Sequence, residues 1–244
     1  MNIINSFLFH PRQSYQKMQK NDILVNIEKD VKIGIRHHMV NKNSPNILFF
    51  HGNGEIGSEY DEVAKIFNDK NINFIVSDFR GYGFSNGSPN IENTQKDSHI
   101  ILDYILEFLS LTSFKGSVVL AGRSLGSVSV LELSKRYPKD FDGLIIESGF
   151  VDEKPILELI GLDLKTHYNK KDSFFNEEKI KKYTGPLLVI HAENDHIIPF
   201  DQAKKMITLS KSKNKKIVSI SNANHNNILT INPNLYFREI SNFI

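Results

Sequence analysis

The sequence predicts an α/β fold with a mostly parallel sheet of about eight strands and helices on both faces. Short apolar runs alternate with segments in which apolar residues recur at helical spacing, a pattern typical of β-α-β units. Several of these runs are almost continuously apolar, as expected for strands buried on both faces. The chain has 244 residues, of which 40% are hydrophobic, so it is long enough to bury a sizeable core.

The individual elements follow from the period of the apolar residues. Two strands joined by a tight turn at Lys29 and Asp30 form an opening antiparallel pair, and six parallel strands follow. The predicted strands cover residues 23–28, 31–37, 46–51, 72–77, 117–121, 143–147, 186–191 and 216–220. The predicted helices cover residues 58–70, 94–109, 125–137 and about 200–210, with a helical tail from about residue 235.

A charged segment between the sixth and seventh strands interrupts the alternation. It runs from about residue 151 to residue 183, and we interpret it as a small cap insertion within a single domain that covers residues 1–244. Its apolar residues are Ile156, Leu157, Leu159, Ile160, Leu162, Phe174 and Phe175. They either line an acyl-binding pocket or pack the insertion onto the body, and the sequence favours neither interpretation.

Composition excludes several classes of function. The net charge of +2 is too small to predict nucleic acid as the main partner. The chain has no cysteine, which excludes disulfides, thiolate metal sites and cysteine catalysis. It also lacks a His-Glu-x-x-His motif, so the sequence predicts no metal and implies no cofactor.

The location expected from the sequence is cytoplasmic. No apolar run approaches the roughly 20 residues that span a bilayer, and the first residues do not form a secretory signal. Six lysines from Lys204 to Lys216 predict a solvated face, with contact with anionic lipid as the alternative. The sequence gives no prediction of oligomeric state.

The stretch Gly-Arg-Ser-Leu-Gly at residues 122–126 lies where a predicted strand meets a predicted helix. A sharp turn here forces an unfavourable backbone angle on Ser124, and the flanking glycines remove side chains that would clash. The pattern predicts a nucleophile elbow that exposes the serine hydroxyl at a helix N-terminus. The alternative is a glycine-rich turn in which Ser124 only caps the helix.

A serine nucleophile needs a base, and the base needs an orienting acid. His225 is the favoured base because it lies in a polar loop after the last predicted strand, and His196 is its rival. Asp195 is the favoured acid because it lies just past the predicted strand 186–191, and Asp152 is the alternative. The sequence therefore predicts a catalytic triad of Ser124, Asp195 and His225.

Five motifs in this order resemble the α/β-hydrolase superfamily over nearly the whole chain. They are FFHGNGE (49–55), SDFRGYGFS (77–85), AGRSLGS (121–127), HAENDHIIP (191–199) and NANHNN (222–227). The resemblance implies an α/β-hydrolase fold, within the compact branch of esterases, lysophospholipases and depalmitoylases. It also implies an oxyanion hole formed by the backbone N–H groups of Asn53 and Leu125, with Gly54 as the alternative to Asn53.

The expected function is that of a serine hydrolase that cleaves a carboxylic ester or thioester through an acyl-enzyme. The expected partner is a small-molecule or lipid-like acyl ester. Two alternatives stay open. The same triad would also serve a peptidase or an acyltransferase, and an α/β-hydrolase fold without activity would serve as a ligand-binding protein.

Overall fold

The computed structural model describes residues 3–159, 161–169 and 173–244. Its strands are β1 (Asp22–Glu28), β2 (Val31–His38), β3 (Asn46–Phe50), β4 (Asn73–Ser77), β5 (Val118–Arg123), β6 (Gly143–Glu147), β7 (Leu187–Ala192) and β8 (Lys215–Ile220). They form one sheet in the order β1-β2-β4-β3-β5-β6-β7-β8. β2 pairs antiparallel with β1 and β4, and all other pairs are parallel. The predicted fold class is confirmed.

The helices lie mainly between successive strands. They are α1 (Ile3–Leu8), α2 (Asp61–Asp69), α3 (Ile91–Leu111), α4 (Gly126–Leu133), α5 (Lys154–Leu159), α6 (Leu164–His167), α7 (Asn176–Ile180), α8 (Asp201–Leu209), α9 (Ile228–Ile231) and α10 (Pro233–Phe243). Within the described residues, none is long and apolar enough to cross a bilayer.

Two helix predictions were wrong in their extent, and one helix was missed altogether. α3 begins at Ile91, before the predicted residue 94, because Asn90 and Asn93 cap its N-terminus reciprocally through side chain and backbone N–H. The predicted helix 125–137 is α4 followed by a short 3₁₀ turn at Ser134–Arg136. The N-terminal helix α1 was not predicted.

Two apolar layers cover the two faces of the sheet. On one face, α2 and α10 pack together, and the rings of Phe67 and Phe237 meet edge to face at 5.1 Å between centroids. On the other face, α3, α4 and α8 contribute Ile101, Val128 and Met206 to the larger core cluster. Helices therefore cover both faces of the sheet, and the carboxyl ends of the parallel strands remain accessible to a ligand.

The segment between β6 and β7 holds the three short helices α5, α6 and α7. α7 is tied to α4 because Lys179 Nζ lies 2.9 Å from a carboxylate oxygen of Glu132. Ile160, which was among the predicted apolar residues of the insertion, lies outside the described residues.

Candidate active site

Ser124 sits on a strained turn at the end of β5. Its φ angle is +51°, in the left-handed region that disfavours every residue except glycine. A Cβ on Gly122 would lie 2.5 Å from the carbonyl oxygen of Gly126, and a Cβ on Gly126 would lie 1.9 Å from that of Phe50. Both glycines are therefore required, because the start of α4 presses against the ends of β3 and β5.

Ser124, His225 and Asp195 form a continuous chain of hydrogen bonds. Nε2 of His225 lies 3.1 Å from Oγ of Ser124, and Nδ1 of His225 lies 2.7 Å from Oδ2 of Asp195. An ionised carboxylate only accepts hydrogen bonds, so Nδ1 carries the proton and Nε2 presents its lone pair to the serine hydroxyl. The structure thus brings together the three residues of the predicted triad, and their catalytic roles stay predictions.

The surroundings of Asp195 keep its carboxylate ionised. Burial alone would raise the pKa of Asp195, but the hydrogen bond and charge of His225 and the N–H of Ile198 lower it overall. Oδ1 accepts hydrogen bonds from the backbone N–H groups of Ile197 at 3.0 Å and Ile198 at 2.7 Å. One carboxylate oxygen is thereby fixed by the backbone and the other is aimed at His225.

The alternative acid and base lie elsewhere. His196 is exposed to solvent beside the buried Asp195. Asp152 accepts a hydrogen bond from the backbone N–H of Lys154 and lines a different surface cavity from the one that contains Ser124. The structure therefore brings neither alternative into the hydrogen-bonded chain at Ser124.

Asn53 and Leu125 line the same cavity as Ser124. In the part of the chain that the structure describes, the backbone N–H groups of both residues are without a hydrogen-bond acceptor. Gly54, the alternative donor, lines the cavity as well. This arrangement is compatible with an oxyanion hole at Asn53 and Leu125, which stays a prediction.

The side chain of Asn53 attaches the N-terminal segment to this loop, a contact that the sequence did not predict. Its Nδ2 donates to the carbonyl of Leu8 at 2.9 Å, and its Oδ1 accepts from the N–H of His10 at 2.9 Å. The hydroxyl of Tyr82 donates to the same Oδ1 at 2.6 Å. Leu8 and His10 consequently become part of the cavity wall.

The cavity above Ser124 has a volume of about 380 Å³, within the usual range for small-ligand sites. The apolar residues of its lining are Leu8, Leu125, Phe150, Ile156, Ile197 and Ile198. The remaining lining is mostly polar and includes His10, Glu55, Arg123 and Asn226. The cavity therefore offers an apolar surface directly beside the hydroxyl of Ser124.

The apolar residues of the insertion divide between the two roles left open by the sequence. Ile156 lines the cavity, whereas Leu157, Leu162 and Phe174 are buried and pack onto the body. Leu159 is largely exposed and does neither. Among the described residues, no group of three or more His, Asp or Glu side chains is placed to hold a metal ion.

A buried ionic network beside the triad was also not predicted from the sequence. Arg123, the residue before Ser124, pairs with Glu55 and with Glu147 at the end of β6. Burial alone would raise the pKa of Glu55, but the charge of Arg123 and the hydrogen bond from Tyr60 lower it overall. Glu147 is more deeply buried, and burial raises its pKa despite the same positive charge. A single charged residue ending an apolar strand, as Glu147 does, was the available sequence signal.

Comparisons with known proteins agree with this architecture. A family model described as serine aminopeptidase, S33, matches residues 41–170, just over half of the chain. Protein bem46 of Schizosaccharomyces pombe is 28% identical over 209 residues, which cover 83% of this chain and 68% of that protein. Lysophosphatidylserine lipase ABHD12 of Xenopus tropicalis is 28% identical over 222 residues, which cover 75% of this chain and 56% of that protein. The chain thus spans about half to two thirds of these relatives.

A solved structure has the same fold. Est1E from Butyrivibrio proteoclasticus, bound to ferulic acid, superimposes with a TM-score of 0.73 at 19% identity, over 91% of this chain and 97% of that chain. Identity at this level supports the fold alone. With the family match over residues 41–170, the motifs and the eight-stranded sheet, the chain belongs to the α/β-hydrolase family.

Proposed function

We propose that this protein is a serine hydrolase that cleaves a carboxylic ester or thioester through an acyl-enzyme intermediate. The observation that carries the proposal is the hydrogen-bonded chain from Ser124 through His225 to Asp195, which starts at a strained elbow and opens into a partly apolar cavity. A weakly nucleophilic hydroxyl gains its reactivity from such an arrangement.

In the first half of the reaction, Oγ of Ser124 attacks the acyl carbonyl while Nε2 of His225 accepts the hydroxyl proton. The carboxylate of Asp195 stabilises the imidazolium that forms. The backbone N–H groups of Asn53 and Leu125 donate to the oxyanion, and each such donor contributes about 3 kcal/mol of transition-state stabilisation. The tetrahedral intermediate then collapses, and the imidazolium protonates the departing alcohol or thiol.

In the second half, water replaces the leaving group. His225 accepts a proton from the water as the water oxygen attacks the carbonyl carbon of the acyl-enzyme. A second tetrahedral intermediate collapses, the imidazolium returns the proton to Oγ of Ser124, and the carboxylic acid is released. The cycle consumes one ester and one water and needs no cofactor.

The substrate that we propose is a small-molecule or lipid-like acyl ester. The apolar part of the cavity lining suits an acyl chain, because burying each methylene contributes about 0.8 kcal/mol. The relative named lysophosphatidylserine lipase gives independent support for a lipid ester. The family description, serine aminopeptidase, favours amide cleavage as the second candidate function.

The cytoplasmic location stays part of the proposal. The lack of cysteine is compatible with a reducing compartment, in which proteins do not depend on disulfides. Fractionation of cells that express the tagged full chain tests it. Recovery of the protein with the membrane fraction would contradict this location.

The decisive assay is hydrolysis of p-nitrophenyl esters, from acetate to laurate, by the wild type and by Ser124→Ala. We expect the variant to lose about a million-fold in kcat, which leaves only background hydrolysis. Ser129→Ala is the matched control, because Ser129 lies on α4 and its buried hydroxyl has no hydrogen-bond partner among the described residues.

Equal rates for wild type and Ser124→Ala would contradict the proposal. A p-nitroanilide series in the same assay distinguishes ester from amide cleavage. If the folded wild type hydrolyses neither series, the binding-protein alternative gains support.

A further inference from the structure

We propose that Arg123 and Glu55 form a positioning pair that holds the two loops on either side of Ser124, one carrying Asn53 and the other His225. The inference rests on the proposed function, because it assigns to the pair the alignment of that active site. Neither residue acts on the substrate in this account.

The guanidinium of Arg123 makes contacts in three directions. Nε donates to Glu147 at 3.1 Å, Nη1 pairs with Glu55, and Nη2 donates to the backbone carbonyl of His225 at 2.6 Å. The side chain is only 12% exposed. A planar fork suits three acceptors at fixed angles, whereas a lysine ammonium on a flexible stem does not.

The contact with His225 connects the elbow to the loop after β8. His225 lies outside the helices and strands, in a turn between β8 and α9, so no sheet or helix fixes its backbone. The hydrogen bond from Arg123 holds its carbonyl from the residue adjacent to Ser124. The distance between Oγ and Nε2 is thereby determined by one side chain in addition to the loop itself.

Glu55 holds the other loop, the one that carries Asn53. Its Oε2 accepts hydrogen bonds from the backbone N–H of Gly52 at 2.6 Å and from the hydroxyl of Tyr60 at 2.6 Å, while Oε1 pairs with Arg123. Gly52 directly precedes Asn53, the predicted oxyanion donor. A Cβ on Gly52 would lie 2.7 Å from Nη1 of Arg123, so the loop packs directly against the pair.

The network is anchored in the core. Glu147 is buried at the end of β6, and its second carboxylate oxygen accepts a hydrogen bond from the hydroxyl of Tyr236 on α10 at 2.7 Å. Burying such charges is costly, and well-packed apolar residues often give equal or greater stability. We infer that the network is retained for the geometry it imposes on the two loops.

The test compares Arg123→Met, Arg123→Lys and Glu55→Gln with the wild type on a neutral p-nitrophenyl ester and on an anionic one. We expect each variant to lose kcat with KM within about twofold, because a misplacement of about 1 Å costs about 100-fold. Arg123→Met should lose most, about 100-fold, and Arg123→Lys about tenfold. The double variant Glu55→Gln/Arg123→Met should be no slower than Arg123→Met alone, since either change by itself already breaks the positioning pair.

Chemical rescue separates positioning from general stability. We expect millimolar guanidinium to raise the activity of Arg123→Ala at least tenfold, without stimulating the wild type or Ser124→Ala. Thermal unfolding identifies the folded variants, and Arg123→Lys and Glu55→Gln carry the test if the larger truncations do not fold.

Three results would overturn the positioning pair. They are unchanged kcat in folded variants, loss without rescue by guanidinium, or a rise in KM confined to anionic esters, which would make Arg123 a substrate-binding residue. Labelling of wild-type Ser124 by a fluorophosphonate is measured in parallel. If the wild type is not labelled, the proposed function itself fails, whereas a labelled wild type with unaffected variants contradicts only the pair.

Discussion

The cavity beside Ser124 has two walls of different origin. The strand-end wall carries Ser124, Asp195 and His225 and is built on the ends of β5, β7 and β8. Leu8 and Ile156, which are part of the apolar lining, come from the N-terminal segment and from the insertion, and we call this part the apolar wall. The reactive groups thus lie at or shortly after the ends of core strands, whereas the apolar wall lies on segments held by a few side-chain contacts.

This difference separates chemistry from specificity. Strand ends in a parallel sheet meet at one edge, so the loops that follow those strands bring their side chains to the same place. The apolar wall depends instead on contacts such as that between Asn53 and the N-terminal segment. We therefore expect substitutions in the strand-end wall to abolish turnover, and substitutions in the apolar wall to change which substrate is used.

The largest effect is expected for His225→Gln. Loss of the base leaves the hydroxyl of Ser124 unactivated, and kcat should fall about a million-fold. Steady-state kinetics on a p-nitrophenyl ester measure the loss. His196→Gln is the matched control, because His196 is exposed and lies outside the hydrogen-bonded chain, and it should retain nearly wild-type kcat. Similar losses of kcat in both variants would contradict the assignment of His225 as the general base.

The second-largest effect is expected for Asp195→Asn, in which kcat should fall about ten thousand-fold. An amide at this position donates a hydrogen bond to Nδ1 and thereby stabilises the wrong tautomer of His225. Asp152→Asn, the alternative acid, should leave kcat nearly unchanged in the same assay. If Asp152→Asn were the slower enzyme, the acid would be misassigned.

A change in the apolar wall should be selective and smaller. Ile156→Trp narrows the cavity, so kcat/KM for long acyl esters should fall about tenfold or more while the acetate ester is hardly affected. Leu159→Trp is the control on the same helix, because Leu159 is 58% exposed. A uniform loss over all chain lengths would show that this wall does not contact the acyl chain.

The smallest effect on turnover is expected for Glu132→Gln, which loosens the insertion from α4. Burial alone would raise the pKa of Glu132, but hydrogen bonds from His99, Lys135 and Lys179 and the charge of Lys179 lower it to about 2. The variant should be less stable by about 2 kcal/mol at neutral pH, measured by urea unfolding. Turnover of the acetate ester should stay within twofold.

The pH dependence of this stability difference has a definite sign. The folded-state pKa of Glu132 lies below the unfolded value of about 4.3, so the carboxylate stabilises the fold above that pH. The contribution is lost as the pH falls from about 4.3 towards 2. The difference between wild type and Glu132→Gln should therefore shrink at pH 3, and a difference that grows on acidification would contradict the assignment. Glu62→Gln, in an exposed pair with Lys65, should change little at either pH.

Much of the strand-end wall could be predicted from sequence because its signals are local. The glycines at 122 and 126 mark a turn that only a tight strand-to-helix junction requires, and Asp195 lies in the loop just after an apolar strand. The eight strands and the mostly parallel sheet followed from the same periodicity, whereas the spatial order of the strands was not predicted. Helix ends were less predictable, as the reciprocal cap of Asn90 and Asn93 illustrates.

The side-chain contacts that hold the loops around Ser124 could not be predicted, because they join positions far apart in the chain. Arg123 contacts Glu55 across 68 positions and the carbonyl of His225 across 102 positions. Asn53 reaches Leu8 across 45 positions. Each of these contacts depends on the completed fold and has no local pattern, so residue type alone gave no reason to pair them.

The most direct test of the account is to identify the residue that a fluorophosphonate modifies in the full chain, by peptide mass spectrometry. We predict a single phosphonyl adduct on the peptide that contains Ser124 in the wild type and in Ser129→Ala, and no adduct in Ser124→Ala. Ester hydrolysis that persists in Ser124→Ala, or an adduct on any other residue of the active wild type, would contradict the assignment of Ser124 as the nucleophile.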